Sequence, residues 1–301
     1  MMSIIIPAYN AAETLGRQLE ALARQASAPR EILVCDNGST DRTVDVVRTM
    51  AERYPEIRLV DASSRRGPGA ARNIGVSESG GEWIAFCDAD DIVADGWCRA
   101  ARHALSQHSF AAGRLDIEHL RGKGAFSVSW SPQLDGLSAL SYLPGFVSAG
   151  SNNMAMHRAV FDSIGGFDES EFTAEDDDFC IRAQLAGYHL TFAPDMLLYV
   201  QQRVGLRAVY RQARTYGRGA RRMTHKYALL AASTTGLDQH PFEDGAPPEE
   251  SPGSAKLGRL VRAAGSPARW ANLVWRIGWS SGWRRATVED LHQVGDGTPG
   301  A

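Results

Sequence analysis

The most constraining feature of the chain is the stretch from Trp83 to Asp91, Trp-Ile-Ala-Phe-Cys-Asp-Ala-Asp-Asp. Residues 83–87 are apolar without alternation, and glycines 80 and 81 precede them. Such a run predicts a strand buried on both faces, as in the parallel sheet of an α/β protein. It stops in three carboxylates, Asp88, Asp90 and Asp91. Ligands of open α/β sheets bind beyond the carboxyl ends of the strands. Acids crowded there repel one another unless a cation or hydrogen-bond donors sit among them, and hard divalent metals take oxygen ligands and bridge phosphates. Two readings are open: a Mg2+ or Mn2+ site holding a diphosphate, or a solvated acidic turn that caps the next helix.

The preceding sequence repeats the pattern. Residues 3–9 predict a buried strand, followed by Asn10 and Glu13 at capping-box spacing and a helical period at Leu15, Leu19 and Leu22. A second strand over 31–35 ends in the turn Asp36-Asn-Gly-Ser-Thr-Asp41, where Asp41 is expected to cap the helix that runs to Tyr54. A third strand covers 57–60. The order β-α-β-α-β predicts a wound parallel sheet. Gly67 and Gly69 superficially suggest a dinucleotide loop, but position 72 is Arg and the run follows the third strand, which excludes that motif. A glycine-rich turn opening a helix beside Arg65 and Arg66 remains an anion site, with a solvated loop as the alternative for the two arginines.

Downstream, a helix is expected near 95–107, strands at 110–113, 126–130 and 150–156, a helix from Arg158, and a tight turn at Gly165-Gly166. A helix over 174–187 opens with Glu175, Asp176, Asp177 and Asp178. One acid there suits the helix dipole; four exceed that need, so at least one should face a site. Residues 206–219 predict a basic amphipathic helix. The Gly, Pro and acid-rich stretch 236–254 predicts a linker. The expected division is a catalytic domain at 1–225 (nucleotide half about 1–92, acceptor half about 93–225), a linker at 226–255 and a helical tail at 256–301.

Composition narrows the function classes. The 301 residues are 44% hydrophobic and 22% charged with net charge -3, so bulk attraction to nucleic acid is not expected. The four cysteines form no C-x-x-C pair and predict small core residues in a reducing compartment. No basic leader and no 18-residue apolar run are visible, giving a cytoplasmic expectation, with peripheral contact at the inner face of a membrane as an option.

Six motifs in order now resemble family 2 glycosyltransferases of the GT-A fold: Ile-Ile-Pro-Ala-Tyr-Asn10, Asp-Asn-Gly-Ser-Thr-Asp41, Gly-Ala-Ala-Arg-Asn-Ile-Gly75, Phe-Cys-Asp-Ala-Asp-Asp91, Gly-Gly-Phe-Asp-Glu169 and Glu-Asp-Asp-Asp178. The resemblance covers roughly residues 3–220. It implies a wound, mainly parallel α/β sheet flanked by helices, here with a C-terminal helical extension. It further implies inverting transfer from a nucleoside-diphosphate sugar, by default a UDP-sugar, to a glycan, lipid-linked or small-molecule acceptor. By position, Pro7, Tyr9 and Glu13 would line the nucleotide pocket; Asp36 would receive the base, with Asn37 beside it. Arg72 would lie near the sugar-diphosphate. Asp88 and Asp90 would be the D-x-D pair at a Mg2+ or Mn2+ ion, with Asp88 toward the ribose or sugar. Asp176, after Glu175, would be the base, and Gly166 would shape the acceptor side. For Glu13, simple capping stays open. The sequence departs from relatives that place a metal-associated His near 194–205, where Gln201 and Gln202 stand; Arg203, Arg207 or Arg211 are candidate replacements. A nucleotidyltransferase of similar fold is disfavoured because Pro7 to Asn10 stands where that class needs a Gly-rich, Lys-bearing loop. A non-catalytic sugar-nucleotide binder would have lost the acids at 88, 90 and 176.

Beyond the resemblance, Trp275, Trp279 and Trp283 fall four apart among arginines. This row fits a helix in a membrane interface, or one packed on the domain or on a second copy. Gly278 and Gly282 weaken an isolated helix by roughly 1 kcal/mol each, which favours a packed surface.

Overall fold

The computed structural model describes residues 1–25, 31–121, 125–129, 133–234 and 266–286. Its strands are β1 (Met2–Ala8), β2 (Glu31–Asp36), β3 (Ile57–Asp61), β4 (Trp83–Cys87), β5 (Ile92–Val93), β6 (Phe110–Asp116), β7 (Ser138–Ala139), β8 (Val147–Ser148), β9 (Asn153–His157) and β10 (Leu190–Tyr199). The helices are α1 (Leu15–Ala23), α2 (Thr43–Arg53), α3 (Pro68–Ser77), α4 (Trp97–Gln107), α5 (Arg158–Ser163), α6 (Glu175–Leu185), α7 (Leu206–Lys226), α8 (Ala228–Thr234) and α9 (Pro267–Arg285).

The main sheet has the order β3-β2-β1-β4-β9-β6-β10-β5. Strands β1 to β4 are mutually parallel, as the apolar runs predict. Strand β9 enters antiparallel between β4 and β6, and β10 runs parallel to β6. The result is a mixed, mostly parallel sheet with helices on both faces. Period-two packing divides its core: Ile4 and Ile6 of β1 pack with Leu15, Leu19 and Trp97, whereas Ile5 packs with Phe86, Phe161 and Phe179 on the other face. All four cysteines are free and buried.

Several sequence expectations fail locally. Residues 125–129 form no strand; Val128 packs against α7 and α9, so its apolar spacing serves helix packing. Strand β10 was not anticipated, because Pro194 and Asp195 break its pattern and its register slips between Ala193 and Leu198. Asn10 and Glu13 form no capping box. Helix α1 starts at Leu15, and Asn10 Oδ1 instead accepts the Thr40 amide at 2.8 Å, tying the first loop to the second. The N-cap of α2 is Arg42, not Asp41; Asp41, one residue earlier, accepts the Thr43 amide at 2.9 Å and the Ala12 amide at 3.1 Å.

Helix α7 reaches Lys226 and α8 occupies the next turns, so helix fills the start of the expected linker; residues 235–265 and 287–301 lie outside the described residues. The Trp row does not face outward. Trp275 and Trp279 pack on Val209 and Ala213 of α7. Three glycines permit this approach: a Cβ on Gly217 would lie 2.2 Å from the Trp279 carbonyl oxygen, and one on Gly282 2.0 Å from that of Arg214, with Gly278 similarly placed against Tyr210. The row therefore takes the packed arrangement that Gly278 and Gly282 favoured, within the chain. The outward face of α9 carries Trp270, Leu273 and Ile277 with Arg269, Arg276 and Arg284. No described helix is long and apolar enough to cross a membrane.

Candidate active site

A single cleft of about 1440 Å3 runs from the carboxyl ends of β1 and β4 to the α7–α9 pair. Pro7, Tyr9, Glu13, Asn37, Arg72, Asp88, Asp90, Glu175 and Asp176 all line it. Asp36 lies beneath this wall; it accepts the Ser39 amide at 3.2 Å through Oδ2, while its buried Oδ1 has no hydrogen-bond partner among the described residues. Asn37 is also a brace. It donates to the carbonyls of Ala62 and Arg65 at 2.6 and 2.7 Å and accepts the Gly67 amide at 2.9 Å, which fixes the entry to α3. Gly166 does not line the cleft. With φ 75° it turns the chain after α5, where a Cβ would strike Asn73 Oδ1 and the Phe161 ring. Arg65 pairs with Glu169, Arg66 lines the cleft, and Arg207 and Arg211 do not.

The acids after β4 converge. One carboxylate oxygen each from Asp88, Asp90 and Asp91 lies within 4.8 Å of the others. Burial, then the charges of its two neighbours, pushes Asp91 well above the ordinary carboxylate range; burial and Asp88 push Asp90 up. Asp91 spends both oxygens on structure, accepting Asn152 Nδ2 at 2.8 Å and the Gln201 amide at 2.9 Å. That leaves Asp88 and Asp90 as hard oxygen donors, a set that suits Mg2+ or Mn2+. Gln18, fully buried on α1, holds the loop by donating to the Asp88 carbonyl and accepting the Val93 amide. At the position lacking the expected His, Gln201 meets Asp91 through its backbone, and Arg203 stands 3.9 Å from Asp90.

Arg72 joins this group to α6. Only 2% exposed, it donates to Asp88 at 2.7 Å and Glu175 at 3.2 Å, with its guanidinium over the Phe167 ring. Ala174, the residue before α6, has φ 63°, a strained state for a residue with a Cβ and one that clusters at functional sites. The four acids after it have different partners. Glu175 holds Arg72, and burial together with Asp176 lifts it to about 7. Asp177 accepts the Tyr142 hydroxyl at 3.1 Å, and burial and Asp176 lift it to about 7 as well. Asp178, fully buried, takes Arg182, Lys226 and the Tyr227 hydroxyl, each at 2.7 Å. Asp176 is raised by burial against the opposing pull of Arg72, and it accepts the Asp177 amide. Neither Gln18 nor the Asp91 braces carried a readable signal, since their roles depend on partners about 60 to 110 residues away.

The model of glycosyl transferase family 2 matches residues 3–164, over half of the chain. The chain is 27% identical over 198 residues to the glycosyltransferase AglE of Haloferax volcanii, covering 65% of each chain. Of the other relatives first found it spans 26% to 57% of their length. Its fold is that of a mannosyltransferase from Pyrobaculum calidifontis solved with GDP-Man and Mn2+ (TM-score 0.59, 20% identity, 94% of this chain and 87% of that one). It also matches S. aureus TarS in complex with UDP-GlcNAc (TM-score 0.55, 21% identity, 79% and 68%). The six ordered motifs, the cleft that five of them line and the family match agree: the chain belongs to glycosyl transferase family 2.

Proposed function

We propose that the protein transfers a sugar from a nucleoside-diphosphate sugar to an acceptor hydroxyl by one inverting displacement. The observation that carries this is the meeting, across one cleft, of the Asp88–Asp90 pair with the acids opening α6. The donor lies along the β1–β4 ends, its base over Tyr9 and Asn37 with the orphaned oxygen of Asp36 as the acceptor beneath. A divalent cation held by Asp88 and Asp90 would offset charge on the leaving diphosphate. Arg203 adds positive charge on the same side.

Asp176 is the base. Of the four acids, Glu175, Asp177 and Asp178 are committed to Arg72, Tyr142 and the Lys226–Arg182 pair, while no side-chain partner of Asp176 is seen among the described residues. It takes the acceptor proton as that oxygen bonds to the anomeric carbon and the bond to the diphosphate breaks. Attack from the α6 side, opposite the diphosphate, inverts the configuration. Arg72 couples the two halves, because it touches both Asp88 and Glu175.

A thermal-shift series with UDP, GDP and dTDP tests this. One nucleotide with Mn2+ or Mg2+ should stabilise the protein, by about 2.7 kcal/mol at a hundredfold excess over Kd. The gain should vanish in EDTA and in Asp90→Ala. No stabilisation by any of the three, or a gain indifferent to both treatments, contradicts the reading.

A further inference from the structure

Resting on that reading, the geometry points to Tyr216 of α7 as the platform on which the acceptor lies, and to a pyranose ring as the acceptor's reacting part. Val209, Gln212, Tyr216 and Ala220 recur at helical spacing and present one face of α7 to the cleft. Among them only Tyr216 offers a large flat surface. It is 50% exposed and lines the cleft.

The ring is held in place. It meets Trp275 edge-on, centroids 5.6 Å apart at 85°, and its hydroxyl accepts Gln212 Nε2 at 3.4 Å. Trp275 is fixed by the glycine-mediated contact of α9 with α7. One turn further along α7, a Cβ on Gly219 would sit 3.0 Å from Thr173 Oγ1 and 3.3 Å from Ala174 Cβ. Arg222 ties the same helix to Glu171 at 2.7 Å. Helix α7 thus abuts the entry of α6, which brings Tyr216 beside the acids. Burial, with the charges of Asp176, Glu175 and Asp88, lifts the Tyr216 hydroxyl to about 12.

A half-open aromatic face next to carboxylates matches the two-sided chemistry of a pyranose. Its C–H face covers an apolar ring while its rim hydroxyls reach charged acceptors. An open-chain polyol has no such face, and an alkyl alcohol lacks the rim. A wall braced in advance spares the entropy of ordering it on binding.

The test uses the full chain with Mn2+ and, in turn, UDP-glucose, UDP-GlcNAc and GDP-mannose. The acceptors are methyl pyranosides of glucose, galactose, mannose and N-acetylglucosamine, with sorbitol and 1-octanol as controls; nucleoside diphosphate release and product mass are followed. At least one pyranoside should accelerate release where sorbitol and octanol do not. Tyr216→Ala should raise KM for that pyranoside about tenfold, with a smaller effect on kcat. Tyr216→Phe, which keeps the ring, should stay within about twofold. Tyr216→Leu keeps apolar bulk against Trp275 but not the flat face, and should behave like Tyr216→Ala; retained stabilisation by Mn2+ and the nucleotide that stabilises the wild type would show both variants folded. The proposal is overturned if Tyr216→Ala or a folded Tyr216→Leu keeps the wild-type KM, if Tyr216→Phe loses as much as Tyr216→Ala, or if donor is consumed and no pyranoside outperforms the controls. A protein that neither binds nor consumes any of the donors overturns the transferase reading, and this inference with it.

Discussion

On the wall proposed to hold the donor, the side chains that face the cleft sit where strands end: Tyr9 after β1, Asn37 after β2, Asp88 and Asp90 after β4. Hydrogen bonds hold these turns: Asn10 accepts from Thr40, Asn37 accepts from Gly67, and Gln18 of α1 donates to the Asp88 carbonyl. The opposite wall is one face of a long helix, α7, backed by α9 through apolar contacts that glycines allow. The donor wall therefore depends on the sheet and on hydrogen bonds, and the far wall on close packing between segments remote in sequence. Damage to the two should differ in kind: loop acids change chemistry with little change in stability, whereas the helix pair changes stability first.

The largest stability effect that separates the walls is at Trp275. Trp275→Ala removes a ring that is 5% exposed at the centre of the α7–α9 contact, and should cost about 3–5 kcal/mol in chemical denaturation. A loss under about 1 kcal/mol would mean that α9 is not part of the folded unit. Arg72 ties the strand-end wall to α6, and its variant is pH-dependent. Glu175 and Asp177 have folded pKa values of about 7, above the unfolded carboxylate range, so the folded state keeps protons that the unfolded state releases. The ligand-free protein should therefore gain stability as pH falls from 8 to 6. Asp168 opposes this only in acid: hydrogen bonds and charge from Lys226, together with Ser170, hold it at about 2 against its burial, and its contribution is lost as pH falls toward that value. Arg72→Gln raises Glu175 further, so its penalty should be larger at pH 8 than at pH 6. An equal penalty at both would break the link between Arg72 and Glu175. The smallest effect belongs to the outer face of α9. Trp270→Ser, where the ring is exposed, should stay within about 0.5 kcal/mol of wild type.

The contrast between the walls also governs what could be read from the sequence. Unbroken apolar runs ending in Asp88 or Asp36 announce buried parallel strands and polar loops, because the information is local. The direction of the Trp row was not local: the contacts of Trp275, Trp279 and glycines 217, 278 and 282 across the α7–α9 pair show which side of α9 is inside. Spacing at 126–130 imitated a strand because Val128 had to meet a helix pair far along the chain. The four acids of α6 announced a site but not a register. Tyr142, Lys226 and Tyr227 engage Asp177 and Asp178, which supports the proposed choice of Asp176. Arg203 gave a charge without a place until β10 was seen to deliver it to Asp90.

The central claim, that two walls meet at one base, is tested most directly by comparing Asp176→Asn with Glu175→Gln and Asp177→Asn in single-turnover transfer, with donor affinity measured in parallel. Asp176→Asn should bind donor as the wild type does and lose about 10²–10⁴-fold in the transfer rate, because an amide cannot take the acceptor proton. Full transfer by Asp176→Asn, with Glu175→Gln or Asp177→Asn as the inactive protein, would contradict it.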